Sequence, residues 1–263
     1  MPENDYPTLL RLFAHVSDAI IQKVAEFAVR ENWGDNLQVL SIYMDYNFEI
    51  AREQGLLKFA KDDSYCLWRV GHLVSTDGQP ITVLFMKNRL ENRQPFVATF
   101  VFKGESFEVS LGSASATTVR EKAPKAPKYK YPKYRSDYKL QFNFDHYLRD
   151  HESRIREILP NLTPYQRFLV LYGAVTTAHR IAAQVAVPQW YRDKNAEAGG
   201  YKWLLPLRFN DPDTSLRPDL VAAIDPDETN KEYLVRTLLP PDYAYANARA
   251  VISSIDAKIS QWI

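Results

Sequence analysis

Residues Lys128-Tyr129-Lys130-Tyr131-Pro132-Lys133-Tyr134-Arg135 alternate cations with aromatic rings. Lysine and arginine hold phosphate oxygens and tyrosine rings stack on bases, so the segment has the chemistry of a nucleic-acid contact. Proline limits its conformations and lowers the cost of ordering it on a ligand. From Arg120 to Lys139 eight basic side chains stand against two acids. This window is +6 in a chain of net charge +1, so the remainder is −5. Attraction to a polyanion is therefore local. The same residues also read as a solubilising loop with its tyrosines packed on the surface, or as a loop that docks a protein partner.

A second set has the types needed for catalysis. His179 and Arg180 fall late in a helical pattern, where an imidazole can shuttle a proton and a guanidinium can hold a phosphate. The competing reading of His179 is a buried, hydrogen-bonded core histidine. Tyr245 and Arg249 are four apart and share a helix face, with Asn247 on another flank. They suit either a polar groove, joined by Gln189, or packing in which Arg249 pairs with an acid such as Asp242 or Asp256. Gly71 allows close approach beside His72. Arg69 and His72 lie on opposite strand faces and converge only if a bulge intervenes.

The remaining chemistry is sparse. His15, His72, His146, His151 and His179 form no metal-ligand spacing, and no metal or cofactor is expected. There is no phosphate-binding loop, dinucleotide fingerprint or Gly-x-Ser-x-Gly elbow. Cys66, the lone cysteine, sits in an apolar run and reads as core. Asp211-Pro212-Asp213-Thr214 and Asp225-Pro226-Asp227-Glu228 read as turns.

These residues need a scaffold. Apolar positions at three and four predict a helix from Thr8 to Asn32, capped by Thr8 and ended by Gly34. A second helix is expected over Asn36 to Gln54, through Leu40, Tyr43, Met44, Asn47, Phe48 and Ala51, with Gly55 as its stop. The period then changes to two. Tyr65–Leu73, Ile81–Met86, Phe96–Phe102 and Phe107–Leu111 read as an antiparallel meander, with a turn at Thr76-Asp77-Gly78-Gln79. Residues 112–132 have no apolar period and read as a long loop. A strand follows from Tyr138, then a charged helix from Tyr147 to Ile158. Next comes a mostly apolar helix from Thr163 to Val185, placed centrally in the packing. Val187-Pro188-Gln189-Trp190-Tyr191 breaks it. Three strands (Trp203–Phe209, Leu220–Ile224, Tyr233–Leu238) and a final helix over Asp242–Trp262 complete the chain.

The expected fold is α+β, with antiparallel sheets packed against a two-helix N-terminal unit, a central helix and a C-terminal helix. It is read as a single domain over residues 1–263, with the basic loop at about 112–137 as a possible subdomain boundary. The chain is 46% hydrophobic, enough to fill a core and to exclude global disorder. One cysteine, an acidic start and no apolar run of membrane-spanning length point to a cytoplasmic protein with no membrane association.

Several stretches together resemble a bacterial family of uncharacterised domains. They are Phe13-Ala14-His15, Glu31-Asn32-Trp33, Gly71-His72-Leu73, Gly78-Gln79-Pro80-Ile81, residues 186–191, Leu204-Leu205-Pro206-Leu207 and Ala244-Tyr245-Ala246-Asn247-Ala248-Arg249. Where that family carries an Asn-Thr-Gly-Leu type of strand motif, this chain reads Arg69-Val70-Gly71-His72. The resemblance implies proximity to RNA-linked modules of NYN-type ribonuclease and LOTUS type. The leading expectation is an RNA-binding module using Lys128, Tyr129, Lys130, Tyr131, Lys133, Tyr134 and Arg135. The alternatives are an enzyme acting on a phosphate-containing small molecule or RNA end, through His179, Arg180, Tyr245, Asn247 and Arg249, and a protein-interaction module without catalysis.

Overall fold

The periodic pattern that starts at Thr8 does not make one helix. Thr8 caps a short helix α1 (Leu9–Phe13) by accepting from the Arg11 N–H. The chain then extends as strand β1 (Ala14–His15) and turns helical again as α2 (Asp18–Phe27). Helical periodicity reads through this break. Two residues nevertheless leave the helix to pair in parallel with the edge of a later strand, Ala14 opposite Phe96 and His15 opposite Val97. Helix α3 (Gln38–Glu53) follows the expected pattern and stops before Gly55, whose φ is +64°.

A computed structural model describes residues 8–111, 117–143, 152–191, 199–252 and 259–262. The chain is α+β and divides into two compact units, Met1–Tyr129 and Lys130–Ile263. Among the described residues, no helix is long and apolar enough to cross a membrane.

The first unit is built on a sheet ordered β1-β5-β4-β3-β2, from β2 (Lys58–Phe59), β3 (Tyr65–Val74), β4 (Pro80–Lys87) and β5 (Phe96–Lys103). Only the β1–β5 pair is parallel. Helices α2 and α3 cover one face. There Phe13, Phe48, Trp68, Phe85 and Phe96 form a cluster of edge and stacked ring contacts. The expected four-strand meander ends at β5. Strand β6 (Ser106–Leu111) leaves the sheet and pairs with β7 (Thr117–Lys122), a strand inside the stretch expected to be a loop. This hairpin covers the other sheet face, placing Phe107 and Val109 on Tyr65, Leu67 and Leu84. Glu121 of β7 accepts from Lys58 and from the Tyr65 hydroxyl. β7 alternates Thr, Arg and Lys with few apolar side chains, because one face of the hairpin is wet; that hides it from an apolar-periodicity reading.

The α1–α3 contact holds a carboxylate under strain. Asp45 of α3 accepts from Thr8 Oγ1 at 2.9 Å and lies 3.8 Å from the Arg11 guanidinium. Burial pushes its carboxyl up to about 6, against the pull of Arg11 and Thr8. The folded state thus favours the protonated acid more than the unfolded chain does. The associated stability is fully present below about pH 4 and is lost as pH rises to about 6, by about 2–3 kcal/mol. Asp45→Asn is expected to flatten this slope, read as the difference in urea midpoint between variant and wild type across that pH range.

The second unit carries a sheet ordered β8-β12-β11-β10-β9: β8 (Lys139–Gln141), β9 (Val187–Tyr191), β10 (Gly200–Leu207), β11 (Leu220–Asp227) and β12 (Glu232–Leu239). β9, expected only to break a helix, is an edge strand of this sheet. β8 joins β12 in parallel, so neither large sheet is wholly antiparallel. Of the expected charged helix, α4 (Glu152–Ile158) is described. Helix α5 (Pro164–Arg180) opens with the expected Thr163 cap, closed into a capping box by Gln166, and a short helix α6 (Ala182–Val185) follows. Trp203, Leu205, Leu207, Ala222, Ile224 and Val235 face Leu171, Val175 and Ala178 of α5. The helix is not enclosed, since Tyr165, Leu169 and Tyr172 are exposed. Helix α7 (Pro241–Arg249) packs on β9, β10 and β11. Residues 253–258 of the expected final helix lie outside the described residues, as do His146 and His151.

Candidate nucleic-acid interface

The basic segment crosses the boundary between the units, and each part is held by its own unit. On the first, Pro124 and Pro127 are buried while Lys125 and Lys128 are exposed. The Gln54 side-chain amide binds both backbone groups of Lys128, at 2.8 and 2.9 Å, as a neighbouring strand would. His72 Nε2 lies 2.7 Å from the Pro127 carbonyl, which can only accept, so Nε2 carries the proton. The Tyr129 hydroxyl donates to Asn47 Oδ1 at 2.7 Å, and its ring lies 4.9 Å from that of His72.

This latch depends on an irregularity in β3. Arg69 pairs with Thr82 and Val74 with Pro80, so five steps of β3 span two of β4. The bulge is made at Gly71, whose φ is +53°. It brings the His72 N–H to the Tyr43 hydroxyl at 3.0 Å, while Asn47 Nδ2 donates to the Tyr43 carbonyl at 3.1 Å. A Cβ at Gly71 would lie 2.3 Å from Asn47 Oδ1 and 2.4 Å from the Tyr43 hydroxyl. Glycine is therefore required both by its conformation and by close packing.

On the second unit, the Lys130 N–H donates to the Tyr201 hydroxyl at 3.3 Å. Tyr131 stays 47% exposed, with only edge contacts to Tyr201 and Trp203. Tyr134 turns inward and stacks on Tyr233 at 4.7 Å. Its hydroxyl meets His179 Nδ1 at 2.5 Å, while His179 Nε2 lies 2.9 Å from the Tyr138 carbonyl. That carbonyl again requires a proton on Nε2, and with Nε2 carrying the ring's single proton Nδ1 accepts from Tyr134. Burial pushes the Tyr134 phenol far above its ordinary range, which keeps it a donor. The Arg135 N–H donates to the Tyr233 hydroxyl at 2.8 Å. The Arg135 guanidinium forms a fork with Asp137 at 2.9 and 3.0 Å, and that hydrogen-bonding holds the Asp137 carboxyl below the usual range.

The seven expected contact residues thus separate by chemistry. Lys128, Lys130 and Lys133 are exposed, as is Lys125, and none has a carboxylate within ion-pair distance among the described residues. Tyr131 is an open ring. Tyr129 and Tyr134 are partly buried and hold hydrogen bonds to Asn47 and His179, and the exposed Arg135 is paired with Asp137. Asn47 and Gln54 were missed as anchors. The available signal was an asparagine on the buried stripe of α3, between Met44 and Phe48.

The catalytic candidates are placed apart. His179 is partly buried, and both its ring nitrogens are hydrogen-bonded, to the Tyr134 hydroxyl and the Tyr138 carbonyl. Arg180 is exposed at the end of α5. On α7, Asn247 Nδ2 donates to Gln189 Oε1 at 3.0 Å; Tyr245 is buried, and Arg249 donates to the Ile252 carbonyl at 2.7 Å. Gln189 stands opposite Lys202, on the sheet face away from that of Trp203. The sheet therefore separates His179 from Asn247. Asp225, expected in a turn, lies within β11 opposite Leu234 and accepts from Lys202 and Arg236. Burial pushes the Cys66 thiol up to about 12, so it stays protonated and is no nucleophile.

A family model described as a domain of unknown function, DUF3825, matches residues 24–259. The chain belongs to the DUF3825 family. The match covers α3, the Gly71 bulge, the basic segment and α7, so the latch residues fall inside the family's domain. Comparison with curated proteins and with solved structures finds no match.

Proposed function

We propose that this DUF3825 domain binds RNA through the basic segment, with Lys125, Lys128, Lys130 and Lys133 on phosphates and Tyr131 as the stacking ring. One observation carries the reading. The backbone and alternate side chains of the segment are tied down by Gln54, His72, Asn47, Tyr201 and Tyr233, while its lysines are exposed and have no acidic partner among the described residues. A tethered backbone lowers the ordering cost of binding. Exposed, unpaired ammonium groups release phosphate counterions on contact. The RNA-linked neighbours implied by the family resemblance point the same way by association alone.

The test is binding of a single-stranded RNA oligonucleotide over a salt series. Wild type is expected to weaken steeply with salt. Replacing the four lysines by alanine should lower affinity at least about tenfold and flatten the log–log salt slope by up to about 3, near 0.7 per phosphate. Tyr131→Ala should weaken binding by about 1–3 kcal/mol with the slope kept. RNA affinity and salt slope that are the same in wild type and the lysine variant would refute this function.

A further inference from the structure

Arg69 is a half-buried guanidinium with no partner among the described residues. Among the described residues no hydrogen bond or ion pair reaches it, and its Nε is buried without an acceptor. Directly opposite in register stands Thr82, fully buried, whose hydroxyl also has no partner. Both lie on the hairpin-covered face, since they fall at every second residue with Tyr65 and Leu67 on β3 and with Leu84 and Met86 on β4. Opposed side chains on neighbouring strands lie within reach of one small group. Glu121 reaches this face from β7, but it is engaged by Lys58 and Tyr65. The next residue along β4's partner strand in this row is Phe102, whose ring stacks on Phe107 at 4.4 Å.

Buried donors left without acceptors cost free energy, and a guanidinium most of all. Two such groups side by side, where β3 begins its bulge, are explained by a ligand that supplies oxygen. We infer that Arg69 and Thr82 form a phosphate subsite. The guanidinium edge offers parallel N–H groups to two oxygens, and the threonine hydroxyl donates to a third. A carboxylate would be satisfied by the fork alone and leave the hydroxyl orphaned. Arg69 keeps partial exposure, which leaves a path for the ligand. The inference deepens the RNA reading by adding a phosphate contact on the folded sheet, but its geometry does not involve the lysines.

The experiment is thermal unfolding of the full chain in inorganic phosphate against chloride at matched ionic strength. It compares wild type, Arg69→Met, Thr82→Val and the four-lysine variant. Wild type is expected to show a saturable rise in midpoint. Arg69→Met should weaken the apparent phosphate affinity at least about tenfold, and Thr82→Val should weaken it less. Neither variant loses a native hydrogen bond, so both are expected to fold. The lysine variant should respond as wild type does, which separates this subsite from the loop. Competition by single-stranded RNA would assign the subsite to a phosphodiester. Competition only by a nucleoside monophosphate would assign it to a small molecule. No saturable response in wild type, or the same response in Arg69→Met, overturns the subsite and leaves the lysine result standing by itself.

Discussion

Gly71→Ala is expected to destabilise the first unit by about 4 kcal/mol or more, read as a large fall in the urea midpoint. Two costs combine. An alanine at φ +53° bears about 1–2 kcal/mol of backbone strain. Its Cβ would also overlap Asn47 Oδ1 and the Tyr43 hydroxyl, at 2.3 and 2.4 Å. Those atoms cannot retreat cheaply. Asn47 holds Tyr129, Tyr43 holds the His72 N–H, and each buried bond broken costs about 1–3 kcal/mol. Relief therefore comes by releasing Tyr129 from Asn47. The variant should also expose residues 124–129 to proteolysis at protease levels that leave wild type intact. Intact cleavage resistance with a lowered midpoint would mean that the bulge supports the core but not the basic segment.

Tyr233→Ala is expected to cost the second unit about 3–5 kcal/mol. Tyr233 is nearly inaccessible and touches the rings of Tyr134, Tyr138 and His179. Removing its ring leaves a cavity under Tyr134 and strips the stacking surface that holds that side chain inward. Tyr233→Phe separates the effects. It keeps the ring and loses only the acceptor for the Arg135 N–H, at a cost of about 1 kcal/mol. Urea midpoints of the two variants check the ratio. A phenylalanine variant as damaged as the alanine would place the stability in the hydrogen bond and not in the ring.

Both predictions concern residues whose roles were only partly legible. Gly71 was readable as a place of close approach, because glycine inside a strand marks a bulge or a near neighbour. What approaches it was not readable, since Tyr43 and Asn47 lie on a helix more than 20 residues earlier. Tyr233 looked like one more strand aromatic. The run of cations and rings was legible along the chain, and its lysines are exposed. The inward turn of Tyr129 and Tyr134 was not. Nor was the lack of a partner for the Arg69 Nε among the described residues, because that is a property of the packed sheet and leaves no pattern along the chain.

The sequence by itself determined the elements whose signals are local. Thr163-Pro164 with Gln166 starts α5, the turn before Gly78 joins β3 to β4, and the apolar stripe of α3 ends at Gly55. Each rests on backbone geometry or a period spanning a few residues. Tertiary structure decided which side chains of the basic segment look outward. Lysine and tyrosine alternate there without a helix or strand to fix their sides. The choice is made by acceptors and rings brought from afar: Asn47, 82 residues from Tyr129, His179, 45 from Tyr134, and Tyr233, 98 from Arg135. A buried phenol must find a partner and a lysine keeps its hydration, so those distant groups divide rings from cations.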